Sequence, residues 1–456
     1  MKYKLFMALA TAGLLTGCSS NDMAIDDEDA PIPIPPKEEL VELNIGAGSP
    51  STTTSRSLGT VGGKDEETNV WKKQTLWLFM TDKGTVKPAQ FITSDGSESL
   101  AIKLFNNKRM TAPDGVASGE MKTVDGAVNY YPMSGTFDFY GYHIDDAAVD
   151  GEGNAIDLTD TSKQPAVKFV NTTGGEVDAK QADKIIVPFK INGTQDLMAG
   201  KATLSEADKE LLAAEADHYY SAYSARRKVT PDVQFKHLLT RLTFSVIAGD
   251  KASAGQAVEG QDKALTKPLT VEAILVKSAT KGAMTVAYKE TPENFLSWDE
   301  DAEMEWCDLK EKSLTEENGP LTTLTAKSLE WDNETSAGKV LPLGEALLVQ
   351  PGVTSYDINV KVSQWVQINI NEPEAAEAGT NKPADYTEDN KDLYPGTWSL
   401  VNHVYPTSIN LSDNSAFQPG TSYNVKIYLS GLTKIDVKAS LNKWVEGEEI
   451  ETRPKD

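Results

Sequence analysis

The sequence predicts an all-β protein built from two β-sandwich domains. Three observations carry that reading. Short apolar runs recur with a period of two, they are rich in β-branched and aromatic residues, and Gly, Asp, Asn and Pro separate them. Long amphipathic helical patterns are almost lacking, which argues against an α/β enzyme fold. At 456 residues the chain suggests two or three domains, and 39% hydrophobic residues suffice for real cores.

The first element is MKYKLFMALATAGLLTGC, with two lysines, an apolar run from Leu5 to Leu15 and small residues before a cysteine. It reads as a secretory signal too short to span a bilayer. Leu15, Thr16, Gly17 and Cys18 resemble a bacterial lipobox, which implies a signal peptide over 1–17 and a lipidated Cys18, and the acidic Asp26–Asp29 after it resemble a surface-export signal, which implies outer-membrane anchoring at the cell surface. Residues 18–38 are acidic and then proline-rich, as expected of an extended tether.

An isolated strand follows. Val41, Leu43, Ile45 and Ala47 alternate with Glu42, Asn44 and Gly46, so one face can fill a sandwich groove. Ser49 to Ser55 hold no strong structure former except Pro50, so the Arg56–Ser57 bond is expected on an exposed, cleavable loop.

From Val70 on, strands are expected at 76–80, 137–140, 166–170, 184–189, 242–247, 269–276, 346–349, 356–362, 423–429 and 435–441. A helix is expected from Ser205, a good N-cap, through Ala216, within a polar connection over 201–228. The domains are then 39–228, including the first strand, and 229–456.

The formal charge of −24 argues against nucleic-acid partners and against electrostatic docking on anionic lipid. No zinc-binding His-Glu-x-x-His, nucleophile elbow or phosphate-cradling glycine loop occurs. His143, His218, His237 and His403 stand singly and read as structural, and Asp145–Asp157 reads as a solvated turn. Cys307 reads as a half-buried small residue, and with Cys18 lipidated no internal disulfide forms. No enzyme activity, metal or cofactor is expected.

Several stretches, in order, are similar to the fimbrillin family of Bacteroidota, the subunits of type V pili. They are Asn129–Tyr142 (NYYPMSGTFDFYGY), Ile191–Met198 (INGTQDLM), Val233–Phe244 (VQFKHLLTRLTF), Phe417–Tyr423 (FQPGTSY) and Trp444. His143 and Ile144 depart from the family's Tyr-Pro at the end of the first stretch. The resemblance implies two transthyretin-like sandwiches in a surface lipoprotein. It also implies that an arginine- or lysine-specific protease removes the first strand, whose groove then takes a strand from the next subunit.

Ile435, Val437, Ala439 and Leu441 repeat the leading alternation and are the candidate donor. Burying four such side chains is worth on the order of 4–8 kcal/mol. The partners implied are other fimbrillin subunits and the processing protease. The alternative is a tip or accessory adhesin, or a permanently lipid-anchored surface protein that binds host glycan or protein.

Overall fold

The computed structural model of the chain describes residues 41–48, 71–92, 101–103, 105–124, 126–132, 134–212, 218–262, 264–301, 303–312, 321–369, 383, 386–387, 396–432 and 434–441. The fold is all-β, as the period-two runs predict, with strands in packed sheets and, among the described residues, two short helices.

An eight-stranded sheet runs in the order Gly119–Glu120, Gly46–Gly48, Asp232–His237, Met198–Ala202, Phe137–His143, Thr75–Asp82, Asn106–Thr111, Lys122–Thr123. Strand 75–82 (TLWLFMTD) explains why this sheet is a middle layer. Its Trp77 and Phe79 enter one buried cluster while Leu76, Leu78 and Met80 enter another on the opposite face. The first cluster is closed by the sheet Leu296–Trp298, Lys281–Tyr288, Lys184–Lys190, Lys168–Val170, which contributes Ile185, Val187, Phe189, Met284 and Val286.

The second cluster is covered by helices α1 (Glu206–Leu212) and α2 (Ala222–Arg226), through Leu212 and Ala222, and by Tyr220 just before α2. Ser205 caps α1 as its sequence suggests. The Asp208 amide donates to Ser205 Oγ at 3.1 Å, and the Ser205 amide donates back to Asp208 Oδ2 at 3.1 Å. The expectation of a merely polar connection over 201–228 needs correcting, because Ala202, Leu212, Tyr220 and Ala222 are core residues. Their spacing is hidden by the charged residues between them.

The second sandwich packs the sheet Leu341–Val349, Thr240–Ala248, Ser422–Ser430, Lys434–Leu441 on the sheet Glu305–Asp308, Thr270–Ser278, Ser355–Asn369, Thr397–Asn410. Leu242, Phe244, Val425 and Ile427 from one sheet meet Val271, Ile274, Ile358 and Val360 from the other in one core.

The chain passes between the sandwiches more than once. Asp232–His237 and the hairpin Lys281–Tyr288/Leu296–Trp298 follow residue 228 yet pair in the sheets of the first sandwich. The motif Val233–Phe244 falls on two strands, which part at Leu238 and Leu239, both buried in the first sandwich.

Candidate functional site

The leading segment occupies a slot in the eight-stranded sheet rather than hanging on its edge. Gly46, Ala47 and Gly48 pair in parallel with Asp232, Val233 and Gln234 on one side. On the other, Gly46 and Ala47 pair antiparallel with Glu120 and Gly119. The pairing continues upstream. The Leu43 amide donates to Asn129 O at 2.8 Å, the Tyr131 amide to Val41 O at 2.9 Å, and the Met121 amide to Ile45 O at 2.8 Å.

Alternation then decides burial. Leu43, Ile45 and Ala47 are 5%, 2% and 0% exposed, with Val41 packed beside them, whereas Glu42 and Asn44 face solvent. Trp71 closes the floor, since its indole N–H donates to Ala47 O at 3.2 Å and its ring meets Phe235 edge-on at 5.3 Å. A segment so placed satisfies backbone groups on both its sides. Without it the sheet would carry two facing rows of unpaired amides above an open apolar floor.

The opposite face of the slot was not singled out by sequence reasoning. Asp232 and Gln234 lie across from Gly46 and Gly48, and the Gln234 side-chain amide donates to Asp232 Oδ2 at 2.8 Å. Asp232 Oδ1 is shielded from solvent and has no hydrogen-bond partner. Burial raises the Asp232 carboxyl above its ordinary range; the Gln234 hydrogen bond opposes the rise, and the charge of Asp208 adds to it. Alternation puts Asp232 and Gln234 on one face, but the sequence does not say which strand lies beside them.

Cys18, Arg56 and Ser57 lie outside the described residues, as does Trp444. The candidate donor lies within them. Ile435, Val437 and Ala439 pack against the second core, and Ile435 through Leu441 pair antiparallel with Leu429 through Tyr423 in their own domain's sheet. That strand ends its sheet, so one of its edges carries no pairing among the described residues.

Two buried histidines each lie against a carboxylate. His143 Nε2 lies 2.8 Å from Asp145 Oδ1, and His237 Nδ1 lies 2.7 Å from Asp196 Oδ2. The Asp196 amide, which donates to Asp145 Oδ2 at 2.9 Å, joins the pairs. The four groups come from the ends of the strands Phe137–His143 and Asp232–His237 and from the turns beside them. No group of three or more His, Cys, Asp or Glu side chains among the described residues could hold a metal. Cys307 is fully buried, not half-buried as its polar neighbours suggest. Burial first, then the charge of Glu305, pushes its thiol up to about 12, which suppresses thiolate reactivity.

Fold and slot together define a layered all-β protein with an N-terminal segment seated as an inner strand. No protein-family model matches the chain, and no curated protein does. Among solved structures, a candidate cell adhesion protein from Bacteroides uniformis ATCC 8492 is similar at 12% identity and a TM-score of 0.38, over 90% of this chain and 100% of that one. Another from Bacteroides eggerthii DSM 20697 matches at 11% identity and 0.33, covering 89% and 96% of the two chains. The fimbrial anchor protein Mfa2 from Porphyromonas gingivalis matches at 9% and 0.29, covering 89% and 98%.

Proposed function

We propose that the protein is a structural subunit of a cell-surface pilus, without enzymatic activity. It is exported as a lipoprotein precursor anchored through Cys18, processed between Arg56 and Ser57, and assembled by strand exchange with neighbouring subunits. The observation that carries this reading is the seat of segment 41–48. Three of its apolar side chains are buried and its backbone is paired on both sides, yet residues 49–70 alone connect it to the body. Cutting within that connection frees the strand, and the lipid with it, from the folded chain. The vacated slot then requires another strand, because bare edges and an apolar floor are unstable in water.

Lys434–Leu441 is the donor in this reading, leaving its edge place on Ser422–Ser430 for the next subunit's slot. A second reading rests on that same edge place. If the strand stays in its own sheet, the protein accepts a strand but gives none. It is then a tip or accessory subunit, or a permanently lipid-anchored surface protein that binds host glycan or protein.

Limited digestion of the delipidated precursor with an arginine-specific protease tests both, read by intact mass and by an unheated denaturing gel. A cut after Arg56 followed by a heat-labile ladder is the expected result. A cut without a ladder supports the tip or accessory role. Protection of the Arg56–Ser57 bond supports permanent anchoring and overturns the processing step.

A further inference from the structure

The glycines of the leading segment sit where a side chain would strike the pair on the neighbouring strand. A Cβ at Gly46 would lie 2.7 Å from Asp232 Oδ1, and one at Gly48 would strike the Gln234 side-chain amide and lie 2.7 Å from Asp232 Oδ2. The segment therefore presents bare backbone to a carboxylate whose Oδ1 is solvent-shielded and lacks a donor. Asp208 is the further charge acting on it, and it has the same sign. Such an oxygen is costly to bury unpaired, and a cation brought beside it relieves the cost.

We propose that Asp232 determines which strand the slot accepts and in which register, the replacement being the Lys434–Leu441 strand of a second copy with Lys438 set against Asp232. This rests on the strand-exchange reading above. In that register Ile435 takes the place of Leu43, Val437 that of Ile45, and Ala439 that of Ala47. Lys438 falls at Gly46, opposite Asp232. The side chains of Asp232 and Gln234 turn aside for the Cβ atoms of Lys438 and of Ser440, which falls at Gly48, and the long lysine stem brings its ammonium back to the freed oxygen.

Size and charge both reject the neighbouring registers. The Ala47 site is fully buried under the Trp71 indole, so it suits an alanine. Sliding the donor two residues one way sets Leu441 there and Ala439 at the larger Ile45 site, with Ser440 opposite Asp232. Sliding it two residues the other way sets Val437 at the Ala47 site and brings Asp436 against Asp232, like charge on like charge. A slip of one residue turns the apolar face outward. In its own sheet Lys438 lies over the Tyr428 ring, 5.3 Å from its centroid, and makes no ion pair among the described residues.

The test uses the full chain cut after Arg56 and stripped of its N-terminal fragment in mild guanidinium, with the loss confirmed by intact mass. Labelled octapeptides of residues 434–441, native and carrying K438E, are titrated by fluorescence anisotropy against the native and D232K chains. The native peptide is expected to bind the native chain at least about tenfold more tightly than the K438E peptide, with the order reversed on D232K. If D232K fails to fold by near-ultraviolet circular dichroism, D232N replaces it and is expected to bring the two peptides within about twofold of each other. Equal binding of both peptides to the native chain overturns the role of Asp232 and leaves strand exchange standing. If neither peptide binds the native chain, strand exchange by this segment and the role of Asp232 are both overturned.

Discussion

At the scale of single residues, the His143–Asp145 pair sets a pH limit on the fold. The His143 side chain is 3% exposed; its Nδ1 lies 2.8 Å from Thr75 O and its Nε2 2.8 Å from Asp145 Oδ1. Burial disfavours its charge, but Asp145 outweighs that loss and, with the Thr75 carbonyl and Asp196, pushes the pKa from 6.5 up to about 9. A pKa raised on folding stabilises fully below the unfolded value and ceases to do so as pH rises through the folded one. Stability should therefore decline from about pH 6.5 to beyond pH 9, by about 3 kcal/mol from this residue. Thermal melts at stepped pH should show that decline in the native chain and a flatter profile in H143Q. Equal slopes would count against the pair. The partner of His143 was not legible, because Asp145 reads as part of a solvated turn, whereas its carboxylate turns back to the buried imidazole.

At the scale of elements, the leading segment is held by complementary volume more than by its few ladder bonds. Ile45→Ala removes atoms from a fully packed site and should cost about 2–5 kcal/mol in denaturant unfolding. Amide exchange over 41–48 should quicken before that of Thr240–Ala248, which lies in the other sandwich. Uniform quickening throughout the chain would show that the segment opens only with the whole fold. Most strands were legible, because alternation needs only local sequence: Leu76–Met80, Lys184–Phe189 and Tyr423–Leu429 all fall inside observed strands. The alternation of Val41 to Ala47 likewise foretold which side chains turn inward. It could not tell an inner strand from an edge strand, since that depends on Gly119–Met121, Asn129–Tyr131 and Asp232–Gln234 coming to either side.

At the scale of the whole molecule, the two sandwiches are pinned by the turn Ile191–Met198. The Leu348 amide of the second sandwich donates to Gly193 O at 2.8 Å, and the Ile191 amide donates to Thr280 O at 2.8 Å. Gly193 has φ +99°, and a Cβ there would lie 2.8 Å from Cys307 Cβ and 2.9 Å from Leu347 Cδ2. Gly193→Ala should therefore cost about 1–3 kcal/mol. It should also split a single calorimetric transition into two, as the sandwiches lose their joint. One unchanged transition would show that the crossing strands hold them without the turn. This turn was visible in the sequence as a motif, but its contacts were not, because Cys307 and Leu347 lie more than about a hundred residues away along the chain and the order of the sheets is not written in local periodicity. The parallel seat of the leading strand has a consequence in time. Gly46 pairs with Asp232, so 232 − 46 = 186 residues separate the partners. During vectorial synthesis or translocation, the strand emerges long before half of its slot exists. Local hairpins such as Ser422–Ser430 with Lys434–Leu441 close as soon as they are made, whereas this pairing waits on a large loop-closure entropy. The segment made first among the described residues thus waits without its partner on that side until Asp232–Gln234 are made.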